Sequence, residues 1–384
     1  MFMKLKMAFI LALLTACFHA LAQQDANPIP RDGEFRGVWI ATVAGLDWPD
    51  VNQPAIVQEV QLLETIKAMR EVGCNTVIFQ VVSNMDAIYP SKILPWSAVL
   101  TGKEGEDPGF DPLDIAVKAA HECGMKIHAW INPLRVARSD DQQHDSLHVS
   151  ISHPDWVQNY RHKLYLDPAN PRVLDYLAGI AREIVSAYDI DGLHIDDYFY
   201  PPGLARDASG KEWKENFYTG PDERVAIDEW RFSNIDKVVE TLFNTTHAVK
   251  PEVVFGVSPS GRLVNTRHLY ADPARWAKAG TVDYFAPQIY WSTGRDDEAE
   301  FGKVLLSWKG IARGIPVYVG LAAYKHDEAY NRGQDAPYMN LSEFGKEVDL
   351  CRNAGYIDGH IWFRAEHIAR EEIKAYILSE LYGG

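Results

Sequence analysis

The chain has 384 residues, 47% of them hydrophobic, and a formal charge of −15. That is ample apolar material for one large core. The acidic balance, with no basic cluster, argues against nucleic acid and against electrostatic binding to anionic membrane.

The N-terminal stretch MFMKLKMAFILALLTACFHALAQQ reads as a targeting segment rather than part of the fold. One reading is a signal peptide over 1–22, with a lysine n-region, a short apolar stretch and a small-residue ALA ending at Ala22. The other takes Leu14-Thr15-Ala16-Cys17 as a lipobox, so that a lipidated Cys17 becomes the new N-terminus. Both export the protein, to the periplasm, the outer membrane or the medium, and only the second ties it to a membrane. No later apolar run reaches the roughly 18 residues of a spanning helix. Beyond the leader, Cys74, Cys123 and Cys351 make neither a disulfide framework nor a CxxC pair, and buried thiols are expected.

From residue 34 to 382 the chain is expected to form a single α/β domain. β-rich runs fall at 35–43, 75–82, 126–132, 191–196, 253–259, 282–291, 316–323 and 358–363. Amphipathic helical patterns separate most of them, for example 57–73 and 172–188. Several helices open on an Asx-Pro pair, Asp111-Pro112, Asn170-Pro171 and Asp272-Pro273, which places an N-cap before a proline at the first helical position. Several close on glycine, at Gly73, Gly124 and Gly280. Eight strand–helix units with nearly continuous apolar strands predict a (β/α)₈ TIM barrel with extended βα loops. The first strand leads into ATVAGLDWP rather than a GxGxxG turn, which argues against an open nucleotide-binding sheet.

In a barrel of this kind chemistry lies at the C-terminal strand ends. Those ends gather Trp48, Tyr89, Trp130, Tyr198, Tyr200, Tyr290, Trp291 and Trp362, with Tyr324 in AAYKHD. Beside them stand Gln80, Asp86, Asn132, Arg135, His194, Gln288 and Arg364. Rings next to amides, Arg and carboxylates describe a carbohydrate cleft, in which rings stack on sugar faces and planar polar groups bond hydroxyls. Expected substrate contacts are Gln80, Asp86, Trp130, Asn132, Arg135, Tyr198, Gln288, Trp291, Tyr324 and Trp362. The fourth strand ends on DGLHIDDYFYP, with adjacent Asp196 and Asp197 where unpaired charge would be costly in a core. Alternation puts Gly192, His194 and Asp196 on one face, expected to look into the mouth.

The segments EFRGVWIATVAGLDWP, NTVIFQV, FDPLDIAVKAAHECGMKIHAWINPLRV, DGLHIDDYFYP, FGVSPSG, DYFAPQIYW and GLAAYK, in this order, resemble the glycosyl hydrolase-like 10 family. The resemblance runs from about 34 to 363. It implies an exported bacterial (β/α)₈ glycosidase, in a family where some members act on peptide-stripped peptidoglycan strands and relatives act on other amino-sugar glycans. The chain departs from the pattern at Val82-Ser83, where the family carries arginine and proline, and in the more polar last strand GHIWFRAEH.

Three mechanisms remain open from sequence. A conventional glycosidase needs a second acid, with Asp47, Asp86, Asp327 and Glu366 available. Substrate-assisted hydrolysis of a 2-acetamido sugar would instead use the Asp196/Asp197 pair, one as acid and one as orienter of the acetamido group. Tyr290 would bond the acetamido oxygen and Trp362 would floor the sugar, placements similar to family 18 chitinases. The third reading is a non-catalytic glycan-binding barrel at the cell wall. A metal held by His128, His194 and Asp196 lacks any HExxH-like spacing, so neither metal nor cofactor is expected; His194 is expected to bond the catalytic Asp.

Overall fold

The computed structural model describes residues 33–383 except 207–212, 222 and 332. The leader, with Cys17, lies outside the described residues. Eleven strands form among those described: β1 (Phe35–Ile40), β2 (Thr76–Val82), β3 (Lys126–Ile131), β4 (Arg135–Ala137), β5 (Val157–Tyr160), β6 (Lys163–Leu166), β7 (Gly192–Ile195), β8 (Val254–Val257), β9 (Tyr284–Phe285), β10 (Tyr318–Leu321) and β11 (Gly359–Trp362). Eight of them pair in the order β10-β11-β1-β2-β3-β7-β8-β9. Parallel bridges Phe285–Val317 and Gln288–Gly320 link the two ends of that row. The result is the expected (β/α)₈ barrel, with all eight predicted strands in place.

Strand β9 is much shorter than the predicted run 282–291. Pro287 has no N–H to give to a ladder, so regular pairing stops after Phe285 and resumes only as single bridges at Gln288. The segment beyond it leaves the sheet early and carries Tyr290 to within reach of the Asp196 and Asp197 charges, with Trp291 following.

The Asx-Pro pairs cap helices as the sequence suggests. Asp111 accepts from the amides of Leu113 and Asp114, Asn170 from Arg172, and Asp272 from Ala274. Gly280 ends its helix at φ 70°, a left-handed position that glycine takes without a Cβ penalty.

Inside the barrel large rings alternate with glycines. Trp39, Ile78, Trp130, Tyr284 and Ile361 form an inner cluster separate from the larger core between sheet and helices. A Cβ at Gly256 would lie 1.9 Å from the Tyr284 ring, and one at Gly192 would lie 2.6 Å from His128. These strand glycines are therefore places where a cross-barrel ring needs the space. Cys74 and Cys351 are buried and Cys123 is half-buried, all three free; burial pushes the Cys74 thiol up to about 12, which leaves it unreactive.

The antiparallel sheet β4-β6-β5 has no counterpart in the predicted elements. It grows from the loop after β3 and places Arg135, the first residue of β4, beside the mouth. Its hairpin turns at Arg161 and His162, at φ 52° and 61°.

Candidate active site at the mouth of the barrel

Strand β7 ends at Ile195, and Asp196 and Asp197 step out of it at the C-terminal rim. Asp196 is 4% exposed. Its Oδ2 accepts from Trp130 Nε1 at 3.1 Å and from the Asn132 side-chain amide, and its Oδ1 accepts from the Tyr198 amide at 3.3 Å. All three partners are donors.

A fixed chain of amides stands behind this contact. The backbone N–H groups of Thr42 and Val43 donate to Gln80 Oε1 at 3.0 and 2.9 Å. That orients Gln80 so that its Nε2 donates to Asn132 Oδ1 at 2.6 Å. Arg135 Nη2 donates to the same oxygen at 3.3 Å, so the Asn132 NH₂ can only face Asp196. Gln80 and Asn132 are fully buried. Gln80 was expected to touch substrate; the structure instead spends its polar atoms on holding Asn132.

Asp197 is half-buried and accepts a hydrogen bond from Gln288. Gln288 Nε2 also donates to the Ser258 carbonyl at 3.0 Å, which fixes its direction. Burial is the largest cause lifting both aspartates. Asp197 rises to about 6, held back by its own backbone amide and by Gln288. Asp196 rises to about 8, with the Asp197 charge as second cause and Arg135 opposing. The two steps belong to the pair, and between them it holds one proton.

Around the pair stand groups suited to a sugar. Arg135 donates Nε to the Ser83 carbonyl at 3.0 Å and lies 4.0 Å over the Tyr198 ring, which is 40% exposed. On the other side Tyr290 sits near enough to both aspartates for their charges to raise its hydroxyl, after burial, well above the usual phenol range. Its ring meets Tyr324 edge-on at 5.9 Å and Phe363 at 5.7 Å. Trp291 and Tyr324 are half-buried, with surface left to offer. The carbonyls of Ser83 and Ser258 carry no signal in sequence, since any residue supplies one.

Several expected site residues lie elsewhere. His194 was expected to face the sugar with Asp196 and to bond it. It is instead fully buried one layer below. Trp39 Nε1 donates to its Nε2 at 3.2 Å, its Nδ1 meets the Tyr284 hydroxyl at 2.8 Å, and that hydroxyl is also 2.8 Å from His128 Nδ1. Burial keeps both imidazoles neutral, His128 pushed down to about 4 and His194 well below its ordinary value.

Trp362 is no sugar floor. It shares the outward parity of His360, is fully buried, donates to the Tyr382 hydroxyl at 2.9 Å and packs edge-on against Phe344. Asp86 is buried in its own loop, accepting from Ser83 Oγ at 3.2 Å, the Asn84 amide at 3.0 Å and Ser97 Oγ at 2.5 Å. Trp48, Tyr89 and Tyr200 are core residues, each at most 2% exposed.

The other candidate second acids are likewise engaged. Asp47 takes Arg364 Nη1 at 2.9 Å and the amides of Ala41 and Glu366. Asp327 pairs with Arg370 at 2.9 Å, and Glu366 with Arg364 at 2.7 Å.

Among the described residues Glu104, His144 and His148 are close enough to share a metal ion. Yet the two imidazoles stack at 3.8 Å with planes 5° apart. Lone pairs in parallel, offset planes cannot meet at one ion. His148 Nε2 lies 2.9 Å from the Asn84 carbonyl and its Nδ1 caps a helical turn at Ser150.

A family model described as glycosyl hydrolase-like 10 matches residues 34–340. The chain is 33% identical to glycosyl hydrolase YngK of Bacillus subtilis, over 97% of this chain and 76% of that protein. It is 34% identical to glycosyl hydrolase DigH of Escherichia coli K12, over 92% of this chain and 86% of that one. Among solved structures the glycoside hydrolase domain of PgaB (BpsB) from Bordetella bronchiseptica superposes with a TM-score of 0.56 at 13% identity, covering 90% of this chain and 98% of that domain. An α-L-fucosidase from Paenibacillus thiaminolyticus gives 0.52 at 13% identity, covering 91% and 49%. At such identities the structural likeness speaks for the barrel alone, whereas the sequence matches fix the kinship: the chain belongs to the glycosyl hydrolase-like 10 family and is a glycoside hydrolase.

Proposed function

We propose that this glycoside hydrolase is exported and cleaves an N-acetylamino-sugar polymer, with peptide-stripped peptidoglycan strands as the preferred glycan, by substrate-assisted catalysis at Asp196 and Asp197. The leader pattern supports export, and the family resemblance supports the glycan class. One observation carries the mechanism: two adjacent lifted carboxyls stand at the rim while Asp47, Asp86, Asp327 and Glu366 are all committed to structural contacts.

The roles follow from hydrogen bonding. Trp130, Asn132 and the Tyr198 amide offer Asp196 donors only, a shell that favours its carboxylate and opposes the burial that lifts it, so the proton passes to Asp197 once the acetamido N–H adds a further donor. Its Oδ1 carries a single long bond and has room for the acetamido N–H. Asp197, less buried, holds the pair's proton when substrate is in place. It gives that proton to the leaving oxygen as the C1–O bond breaks and the acetamido oxygen bonds C1. The Tyr290 hydroxyl donates to the acetamido oxygen. Water then opens the oxazolinium ring, returning its proton to Asp197, and the anomeric configuration is retained.

Reducing-end release from peptide-free peptidoglycan and chitin oligomers, against matched glycans lacking the acetamido group, tests the reading. Turnover restricted to 2-acetamido glycans and inhibition by a thiazoline analogue are expected. Equal turnover of both substrate sets would sink it. An aryl glycoside with an activated leaving group separates the roles: Asp197→Asn retains activity on it, and Asp196→Asn loses activity on every substrate.

A further inference from the structure

Past Ile289, whose amide still donates to the Gly320 carbonyl of β10 at 3.1 Å, the chain that carries Tyr290 and Trp291 leaves the sheet, so its main-chain polar atoms need other partners. Charged side chains from three other segments supply them. Lys325 Nζ, from the 3₁₀ turn Ala323–His326 after β10, donates to the Tyr290 carbonyl at 2.5 Å. Asp335 accepts from the Ser292 amide at 3.1 Å and from the Ser292 hydroxyl. Glu343, on helix Ser342–Asn353, accepts from the Thr293 amide at 2.5 Å.

Lys325 and Asp335 are tied together, and both carboxylates are shielded from water. Lys325 Nζ lies 3.6 Å from Asp335 Oδ2. Asn331 locks the loop by donating to the carbonyls of Lys325 and Asp335, at 3.1 and 2.8 Å, and accepting from the Asp335 amide at 2.9 Å. Asp335 is 5% exposed, while Glu343 and Ser292 have no exposed surface. Burying ionised groups is costly, and apolar packing would hold a loop as firmly. What ions add is short, directional contact with particular backbone atoms.

We infer that Lys325, with Asp335 as its partner, is a positioning residue that fixes the main chain beneath Tyr290 and acts on the reaction only through the Tyr290 side chain. The inference rests on the proposed function in that Tyr290 is the group served. Substrate does not have to touch the lysine, whose ammonium is occupied by the Tyr290 carbonyl and Asp335.

A double-mutant cycle tests this on whichever glycan the wild type cleaves. Tyr290→Phe removes a donor from the developing charge and should lower kcat/KM about 100-fold. Lys325→Met in the native background should lower it about tenfold by misplacing that donor. In the Tyr290→Phe background the same change should cost less than about twofold, because the group it positions is gone. Lys325→Arg, which keeps the charge, should restore the rate to within about threefold of wild type. If Lys325→Met misfolds, Asp335→Asn runs through the same cycle with the same expectation.

Additive losses, or no loss from Lys325→Met, overturn the inference. So does a Tyr290→Phe variant with full activity. Failure of the substrate-assisted reading shows separately, in the wild type alone, as turnover indifferent to the acetamido group.

Discussion

Asn132 donates its side-chain amide to the Asp196 oxygen that Trp130 also reaches, and Gln80 holds the Asn132 carbonyl from behind at 2.6 Å. Because the Thr42 and Val43 amides orient Gln80, three strands fix one carboxylate before any sugar arrives. Asn132→Ala breaks that chain at its last link. We expect kcat to fall about 10- to 100-fold with KM nearly unchanged, the pattern of lost preorganisation. Steady-state kinetics on the preferred glycan check it; a KM effect alone would mean that Asn132 holds substrate instead.

On the proposed mechanism the aspartate pair carries a single proton in the active form. With the pair losing protons near 6 and near 8, kcat/KM should describe a bell between those limbs. Gln288 stabilises ionised Asp197, the proposed acid, so Gln288→Leu should move the upper limb upward. A rate profile flat from pH 5 to 9 would contradict the assignment.

The same pair burdens the fold, in a direction that can be worked out. Both folded values lie above the ordinary aspartate value of 3.8, so the native state binds more protons than the unfolded chain from about 4 up to about 8. The pair's contribution is complete below about 4 and is lost as pH rises through 6 and 8. Asp196→Asn, inactive on the proposed mechanism, should be more stable than wild type by about 1–3 kcal/mol at pH 9 and by less at pH 5. Thermal melts of both proteins across that range decide it. A difference that does not grow with pH would remove burial as the cause of the shift.

The barrel was legible in sequence because its signals are local: apolar runs, Asx-Pro caps and closing glycines each act within a few residues. Depth within the barrel was not. Alternation put His194 and Asp196 on one inward face, correctly, but a period of two residues says nothing about which layer meets the mouth and which lies beneath it. Trp362 was misplaced for a different reason. Counting from the inward Gly359 and Ile361 sends it outward, so the parity was there to read. The small sheet left no trace because its hairpin turns on Arg161 and His162 at positive φ, where the usual Asn-Gly or Asp-Gly marker is absent.

Tyr284 offers a test of the layer below the site. Its hydroxyl joins His194 and His128, each at 2.8 Å, and all three side chains are buried. Trp39 donates to His194 Nε2, so His194 carries its proton on Nδ1 and gives it to the tyrosine, which in turn donates to His128 Nδ1. Tyr284→Phe keeps the ring that fills the groove over Gly256 and strands both imidazole nitrogens. Each lost partner costs about 1–3 kcal/mol, so a clear drop in melting temperature is expected. Because Asp196 is held by Trp130, Asn132 and the Tyr198 amide, and by neither histidine, kcat/KM of the folded variant should stay within about threefold of wild type. A large fall in rate with unchanged stability would restore the histidines to the reaction.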